Sequence, residues 1–237
     1  MPQTINFKSL QDSLQAPLDK KFPPLENPDM DKWGRAEQLH IGLNGLLEFV
    51  NKNKRLPTLH DDNDASEVTE LAKAFNDASL DIEGRVTVEE LNKEVVQNIS
   101  KYSSCQLSPH SAFWGGIVAQ EVVKFTGKFM PIRQWLHYET LELLPKGEVN
   151  RKVNGTRYDD QVSIFGQEFQ EKIMNQKIFL VGAGALGCEF IKQFALTGLC
   201  CGPNGKFTCT DDDNIEISNL NRQFLFRKDD VGSSKSQ

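Results

Sequence analysis

Hydrophobic side chains recur every three or four positions along much of the first hundred residues, which is the period of an amphipathic α-helix. The first stripe predicts a helix over residues 31–53, limited downstream by Pro57. Two later stripes and a short segment at residues 9–15 predict further helices. Together these segments predict a small antiparallel helical bundle. The first stripe consists of Leu39, Leu43, Leu46, Leu47 and Val50.

Both later stripes carry signals for a helix start. Asp64 and Glu67 have the three-residue spacing of a capping box, and an acidic run precedes them. Thr87 and Glu90 have the same spacing, which predicts that the third helix opens at Thr87. The positions expected to be buried are Ala65, Val68, Leu71, Ala72 and Phe75 in the second helix and Val88, Leu91, Val95 and Ile99 in the third.

A different kind of helix is predicted after Ser108, where a capping residue precedes a proline at the first helical position. Apolar residues occupy most of its faces, and Gly115 with Gly116 would admit a close neighbour. We therefore expect this helix to be buried on several sides and to end at Gly127.

The pattern changes towards alternating strand and helix in the second half of the chain. Residues 134–143 predict a strand, and the polar segment 145–157 predicts a linker. A helix is expected over 164–173, followed by a buried parallel strand at 178–181 and a second strand at 206–210. The intervening helix carries Leu186, Phe190 and Phe194 and stops near Gly198. This is one βαβ unit, whereas a doubly wound sheet needs more strands.

Three glycines follow the first of these strands in the spacing G-x-G-x-x-G: Gly182, Gly184 and Gly187. The first permits a tight turn, the second lets a phosphate approach the backbone, and the third lets helix and strand pack closely. The turn opens a helix, whose N-terminus favours an anion. The pattern indicates a nucleotide without distinguishing NAD, FAD and ATP, and a plain turn between packed elements is the alternative. Asp211, at the end of the second strand, suits ribose hydroxyls in any of these nucleotides.

Residues 211–227 favour adenylyl transfer over hydride transfer. Asn219, Asn221, Arg222 and Gln223 crowd one five-residue window, and Lys235 follows. When a carboxylate attacks the α-phosphorus of ATP and pyrophosphate leaves, such donors stabilise the charge that develops on the phosphate oxygens. A polar loop without chemistry is the alternative interpretation of these residues.

The segments GAGALG, TDDDNIEISNLNRQFLFR and DVGSSKS together resemble the active adenylation domain of ubiquitin-activating enzymes, within the ThiF/MoeB-like superfamily. Residues 35–49, 113–138 and 157–173 also resemble the large single-chain members. The resemblance implies an α/β Rossmann-like fold, here an incomplete ThiF-type adenylation domain, preceded by a mostly α-helical bundle. It implies a bundle region at 1–105, beginning with the tail of a first catalytic-cysteine half-domain. The closing part of an inactive adenylation repeat would follow at 106–148, and the opening of the active one at 149–237.

The same resemblance implies an ATP and Mg²⁺ site, with ubiquitin and a ubiquitin-conjugating enzyme as partners. The enzyme would adenylate the C-terminal glycine of ubiquitin and pass it to a cysteine as a thioester. Asp211 would hold the ribose, and Asp213 would lie near the metal and phosphates. Arg222 and Lys235 would contact phosphates, and Asn219 and Gln223 would order the reacting centre. The adenine–ribose side of the pocket would be lined by Gly182, Ala183, Gly184 and Gly187. No residue is assigned as a metal ligand.

Composition and charge limit the possible partners and the cellular compartment. The 237 residues carry a net charge of −6 with no Lys/Arg cluster, which disfavours nucleic acid. No apolar run approaches the ~18 residues that span a bilayer, so a membrane is not an expected partner. Five cysteines, an odd count without a C-x-x-C pair, indicate a reducing compartment, cytoplasmic or nuclear. We expect Cys188 to pack rather than react, and the four histidines to be structural or exposed.

The resemblance also implies that much of the enzyme lies outside this sequence, because the family's catalytic cysteine matches none of the five here. We therefore expect a partial chain, catalytically silent alone, whose half-built sheet leaves a strand edge and apolar faces uncovered. Two other functions stay open at this point: an NAD- or FAD-dependent oxidoreductase, and a non-catalytic interaction module.

Overall fold

The fold is described by a computed structural model over residues 4–18, 29–80 and 82–236. The chain divides into two compact units. The first comprises residues up to 105 together with 116–144, and the second comprises 106–115 together with 145 onwards. The later boundary coincides with the start of the predicted linker. The three-part division at 105 and 148 stays a prediction.

The first unit is a helical bundle, as predicted. Three helices, α2, α3 and α4, pack against one another, and the shorter α1 precedes them. Their bounds are α1 Leu10–Gln15, α2 Arg35–Asn53, α3 Asp62–Ala78 and α4 Lys93–Tyr102. Ser9 caps α1 by accepting a hydrogen bond from the Asp12 N–H. The core of the bundle consists of Ile41, Phe49, Val68, Ala72, Val86 and Val96.

The predicted starts of α3 and α4 were both wrong. Asp61, not Asp64, caps α3, and its carboxylate accepts the Asp64 N–H at 2.8 Å. Helix α4 begins after Asn92, five residues beyond Thr87. The backbone polar groups of Val88 are hydrogen-bonded to a side chain of α3 and so are not available to a helix that starts at Thr87. The Asn76 side chain donates to the Val88 carbonyl at 3.0 Å and accepts the Val88 N–H at 2.9 Å. The segment around Val88 therefore packs on the core without forming a helix.

The bundle core yields a direct stability prediction. Phe49 is fully buried, and the Arg55 guanidinium lies 5.2 Å from the centre of its ring. We expect Phe49→Ala to lower the free energy of unfolding of the bundle by about 3–5 kcal/mol, because it removes buried contacts and leaves a cavity. Leu80→Ala, at a side chain that is 57% exposed, is the control and should cost less than about 1 kcal/mol. Hydrogen exchange of peptides from residues 35–102, followed against urea, measures both for the bundle alone.

Two expectations for the middle of the chain were wrong. Helix α5, Ser108–Lys124, begins in the second unit and ends in the first, and none of its residues is buried. Its apolar side chains are exposed or half-buried. It ends three residues before Gly127, which adopts a left-handed φ of 77° in the following turn. Residues 134–143 form no strand: Gln134 has a φ of 64°, and the segment ends in a 3₁₀ turn at Leu141–Leu143.

The second unit contains the predicted βαβ arrangement. Two helices lead into it, α6 Asp159–Phe165 and α7 Gln167–Met174, separated by Gly166 at a φ of 86° where one helix was predicted. Strand β1 Lys177–Val181, helix α8 Ala185–Thr197 and strand β2 Lys206–Thr210 follow. The two strands are parallel, and Gly198 ends α8 in the left-handed conformation, both as predicted.

Burial of the first strand was predicted wrongly. Side chains of β1 alternate between exposed and half-buried, and Phe179 is 64% exposed. Within the described residues the sheet has two strands, so no layer covers the outer face of β1. Exposed apolar side chains on β1 and α8 agree with the expected uncovered faces. Across the described part of the chain, the helices are too short or too polar to cross a membrane.

Candidate nucleotide site

The glycine turn connects β1 to α8, and each glycine has a distinct steric role. Gly182 has a φ of 99°, which L side chains rarely adopt, and its N–H donates to the Thr210 carbonyl at 2.7 Å. A Cβ on Gly187 would lie 2.3 Å from the Gly182 carbonyl oxygen, so only glycine allows this close packing. A Cβ on Gly184 would meet no atom within 4 Å. The turn therefore leaves open space next to Gly182 and Gly184, whereas the backbone of Gly187 packs directly against that of Gly182.

Asp211 lies at the end of β2 and its carboxylate is tied to the glycine turn. One carboxylate oxygen accepts the Ala183 N–H at 2.6 Å, and the other accepts the Asp213 N–H at 2.9 Å. The Asp213 N–H, the Ala183 N–H and the charge of Lys235 hold the pKa of Asp211 below its ordinary value, against the effect of burial. The carboxylate is therefore ionised at neutral pH and fixed at the edge where the two strands end.

Lys235 joins this group through Asp213. Its Nζ lies 2.6 Å from an Asp213 carboxylate oxygen, and its backbone N–H donates to the Asp213 carbonyl at 3.0 Å. The ion pair with Asp213 raises the pKa of Lys235, so the ammonium stays charged. A bridge between Asn214 and Ser234 returns the last described residues to the strand end. The fold thus brings a cation and two carboxylates to the glycine turn from distant parts of the sequence.

The carboxylates of Asp211, Asp212 and Asp213 offer oxygen atoms within 4.8 Å of one another. Oxygen ligands are those that Mg²⁺ prefers, and Mg²⁺ usually keeps several waters while binding one or two carboxylates and substrate phosphates. Asp211 already accepts two backbone N–H groups and Asp213 pairs with Lys235, whereas the exposed Asp212 makes neither kind of contact with the described residues. These residues suit a shared cation with phosphate oxygens better than a closed protein cage. Asp212 was not among the predicted site residues, although the run of three aspartates was the available signal.

Asn219, Arg222 and Gln223 form a separate cluster in the turn after β2. Asn219 is buried, and its side-chain oxygen accepts the Glu216 N–H at 3.0 Å. Arg222 donates to the Ser218 carbonyl at 2.9 Å. The side-chain oxygen of Gln223 is buried and, within the part of the chain that the structure describes, accepts no hydrogen bond. No hydrogen bond or ion pair between described residues joins these three side chains to the glycine turn.

The predicted site residues therefore fall into two groups. The structure brings the glycine turn, the strand end and Lys235 together, and it leaves the amide and guanidinium groups in a neighbouring turn. The first group is Gly182, Ala183, Gly184, Gly187, Asp211, Asp213 and Lys235, and the second is Asn219, Arg222 and Gln223. Cys188 is buried beneath the turn, with its Sγ 3.8 Å from the Ala183 carbonyl, in agreement with a packing role.

Comparison with known proteins shows which proteins this chain resembles. Residues 158–237 match the model of the ThiF family, and residues 1–76 match that of the ubiquitin-activating enzyme E1 four-helix bundle. Ubiquitin-like modifier-activating enzyme 1 of Oryctolagus cuniculus is 43% identical over all of this chain and 22% of its own length. Over its whole length the chain is therefore similar to ubiquitin-activating enzymes.

Other ubiquitin-activating enzymes give the same result. Ubiquitin-activating enzyme E1 1 of Arabidopsis thaliana is 40% identical over 99% of this chain and 21% of its own length. The corresponding enzyme of Schizosaccharomyces pombe is 42% identical over 100% and 23%. The chain thus spans about a fifth of the length of these curated relatives. A crystal structure of E. coli MccB with AMPCPP and MccA is 31% identical over 35% of this chain and 25% of that chain. Its TM-score is 0.30, too low to bear on the fold.

Proposed function

We propose that this chain supplies part of the ATP site of an enzyme that activates ubiquitin. The enzyme adenylates the C-terminal glycine of ubiquitin and passes it to a cysteine as a thioester. One observation carries the proposal: an ionised carboxylate, Asp211, is fixed by the Ala183 N–H beside glycines with open space above them. A ribose can bind this carboxylate while its phosphates approach the backbone of the turn.

The space over Gly182 and Gly184 is open to a nucleotide, because a Cβ at either position would meet no atom within 4 Å. ATP with Mg²⁺ supplies the electrophilic α-phosphorus and a pyrophosphate leaving group. Asp211 accepts hydrogen bonds from the ribose hydroxyls and so fixes the register of the nucleotide. Lys235, held by Asp213, directs a positive charge towards the phosphate oxygens. In a Rossmann-like sheet completed by further strands, these groups share one edge of the sheet.

The second cluster stabilises charge on the reacting group. Asn219 and Gln223 order the reacting centre, and Arg222 contacts phosphates after exchanging the Ser218 carbonyl for an anion. The buried side-chain oxygen of Gln223 is an acceptor that a donor on a bound group would satisfy. Ubiquitin and a ubiquitin-conjugating enzyme are the proposed partners, in the cytoplasm and the nucleus. None of the five cysteines of this chain is proposed as the thioester nucleophile.

Equilibrium binding separates this function from an oxidoreductase. We expect the 237-residue chain to bind MgATP more tightly than NAD or FAD, since the cation and amides here suit phosphates rather than a nicotinamide or flavin ring. Isothermal titration with each nucleotide makes the comparison. Lys235→Met should weaken MgATP binding about tenfold, the magnitude of one charge-assisted hydrogen bond. Tighter binding of NAD or FAD would contradict the proposal.

Catalysis is tested in the context of a complete relative. We expect a chimera, in which this chain replaces the matching 22% of the rabbit enzyme, to catalyse ATP–pyrophosphate exchange that depends on ubiquitin. The same chimera carrying Lys235→Met is the matched control and should exchange more slowly. Exchange that proceeds without ubiquitin, or that is indifferent to Lys235, would count against the assigned role.

A further inference from the structure

A buried pair of histidines lies in the helical bundle, far along the sequence from the nucleotide site. His40 on α2 is completely buried, and His137 is 7% exposed. The Nδ1 of His40 and the Nε2 of His137 lie 3.3 Å apart, and the rings meet edge to face with centroids 5.3 Å apart. The proposed adenylation chemistry makes no use of this pair.

The hydrogen bonds fix which nitrogen carries each proton. The Nε2 of His40 lies 2.9 Å from the Leu14 carbonyl, which can only accept, so this nitrogen carries a hydrogen. In neutral His40, Nδ1 is then an acceptor, and His137 must donate to it from Nε2. The remaining nitrogen of neutral His137, Nδ1, is consequently a bare acceptor. It is buried and has no hydrogen-bond partner among the described residues.

The pair belongs to a set of contacts that hold α1 against the bundle. Leu14, near the end of α1, offers its carbonyl to both His40 and Asn44, at 2.9 and 3.2 Å. The indole N–H of Trp135 donates to the carbonyl of Ser13 at 3.1 Å. Trp135 also lies edge to face with His40, at a centroid separation of 5.6 Å. The last turn of α1 is therefore bonded to a histidine and to the segment that carries the second histidine.

Protonation of this pair is incompatible with the closed arrangement. An imidazolium donates from both nitrogens, so protonated His40 and His137 would direct two N–H groups at each other, and the second N–H of His137 would find no acceptor. Burial, and secondarily the neighbouring His40, lowers the pKa of His137 to about 4 from an ordinary value of 6.5. Burial also lowers the pKa of His40. Both rings are neutral at pH 7.

Several charged groups on the elements packed around the pair are engaged with other partners. On the N-terminal segment, Lys8 donates to the carbonyls of Ala16 and Leu18, and Asp12 accepts from Ser9. Beside His137 on the chain, Glu139 pairs with Lys32 at 3.2 Å and with Arg35 of α2 at 3.7 Å. The remaining titratable groups next to the pair along the chain are Glu37 on α2, and Arg133 and Tyr138 beside Trp135 and His137.

We propose that the His40–His137 pair is an acid-sensitive latch that holds α1 on the bundle at neutral pH and releases it when the pair becomes protonated. Release removes one wall of a groove of about 510 Å³ between α1, α2 and α3. Leu14 of α1 lines this groove opposite Leu47, Leu71 and Phe75, so the open form exposes an apolar surface that the closed form partly covers.

The direction and size of the pH effect follow from the difference between closed and open states. The open state returns His137 to an ordinary pKa, so it binds a proton more readily than the closed state. Opening is therefore favoured as pH falls from about 6.5 and levels off near pH 4. From pH 7 to pH 5, His137 alone increases the opening equilibrium constant ~20-fold. His40 acts in the same direction.

Hydrogen exchange of the 237-residue chain tests the latch. We expect the protection factors of the amides of residues 10–16, which correct for intrinsic exchange rates, to fall at least tenfold between pH 7 and pH 5. In His137→Gln, whose amide can donate to His40 without titrating, the loss should be several-fold smaller. His110→Gln removes a histidine of the second unit and should behave as the unmodified chain.

A second measurement keeps the test independent of how well the variant folds. The imidazole Cε1–H resonances of the unmodified chain should show His137 unprotonated at pH 5 in the folded state. A folded-state titration of His137 near pH 6.5 would overturn the latch. Equal losses of protection in His137→Gln and in the unmodified chain would overturn it as well, and neither result would bear on nucleotide binding.

Discussion

Asp211→Asn is expected to weaken MgATP binding by about 100-fold, the largest loss among single substitutions at this site. Each hydrogen bond from a ribose hydroxyl to a carboxylate contributes about 1.5–3 kcal/mol, and the amide replaces one acceptor with a donor. The same donor would face the N–H of Ala183 or Asp213, which now bonds to a carboxylate oxygen. Isothermal titration of the 237-residue chain measures the loss.

Asp229→Asn is the matched control for this result. It removes the same charge at an exposed side chain outside both the glycine turn and the run of three aspartates. We expect it to change MgATP binding less than about threefold, as a charge whose interaction is screened by water does. An equal loss in both variants would mean that net charge, rather than the position of Asp211, governs binding. Retained ATP binding in Asp211→Asn would remove the main support for the proposed function.

Gly187→Ala and Gly184→Ala are expected to separate stability from binding within one turn. The added methyl group at position 187 would lie 2.3 Å from the Gly182 carbonyl oxygen and 3.1 Å from its carbonyl carbon, so backbone must move. Such overpacking costs about 1–3 kcal/mol or more. At position 184 the methyl group meets nothing within 4 Å, so the fold should tolerate it. It would instead occupy the space proposed for the nucleotide, and MgATP binding should fall about tenfold or more.

Because the chain has two units, the free energy of unfolding must be assigned to the second one. Hydrogen exchange of peptides from residues 177–210, followed against urea, reports on that unit separately. Gly187→Ala should lower the protection of these peptides and leave those of the bundle unchanged. Loss of protection in Gly184→Ala as large as in Gly187→Ala would contradict the distinct roles assigned to the two glycines.

Much of the architecture could be predicted because local signals governed it. Helices α2 and α3 follow hydrophobic stripes, and β1, α8 and β2 follow the glycine spacing with an apolar run on one side. One error arose where a side chain from elsewhere captured the backbone. Asn76 holds Val88 and so delays α4. Such captures depend on which residues meet in space, which periodicity does not encode.

The sequence alone indicated the similarity to ubiquitin-activating enzymes and predicted a nucleotide site, because the relevant signal is a contiguous pattern of residue types. Glycine spacing, the acidic strand end and the amide-rich turn are all read along the chain. Only the tertiary structure decided which of these groups meet: Asp211 binds the Ala183 N–H, Lys235 pairs with Asp213, and Asn219, Arg222 and Gln223 lie in a separate turn. Only the structure joined His40 to His137 across 97 positions, since burial and tautomer depend on packing that no local pattern specifies.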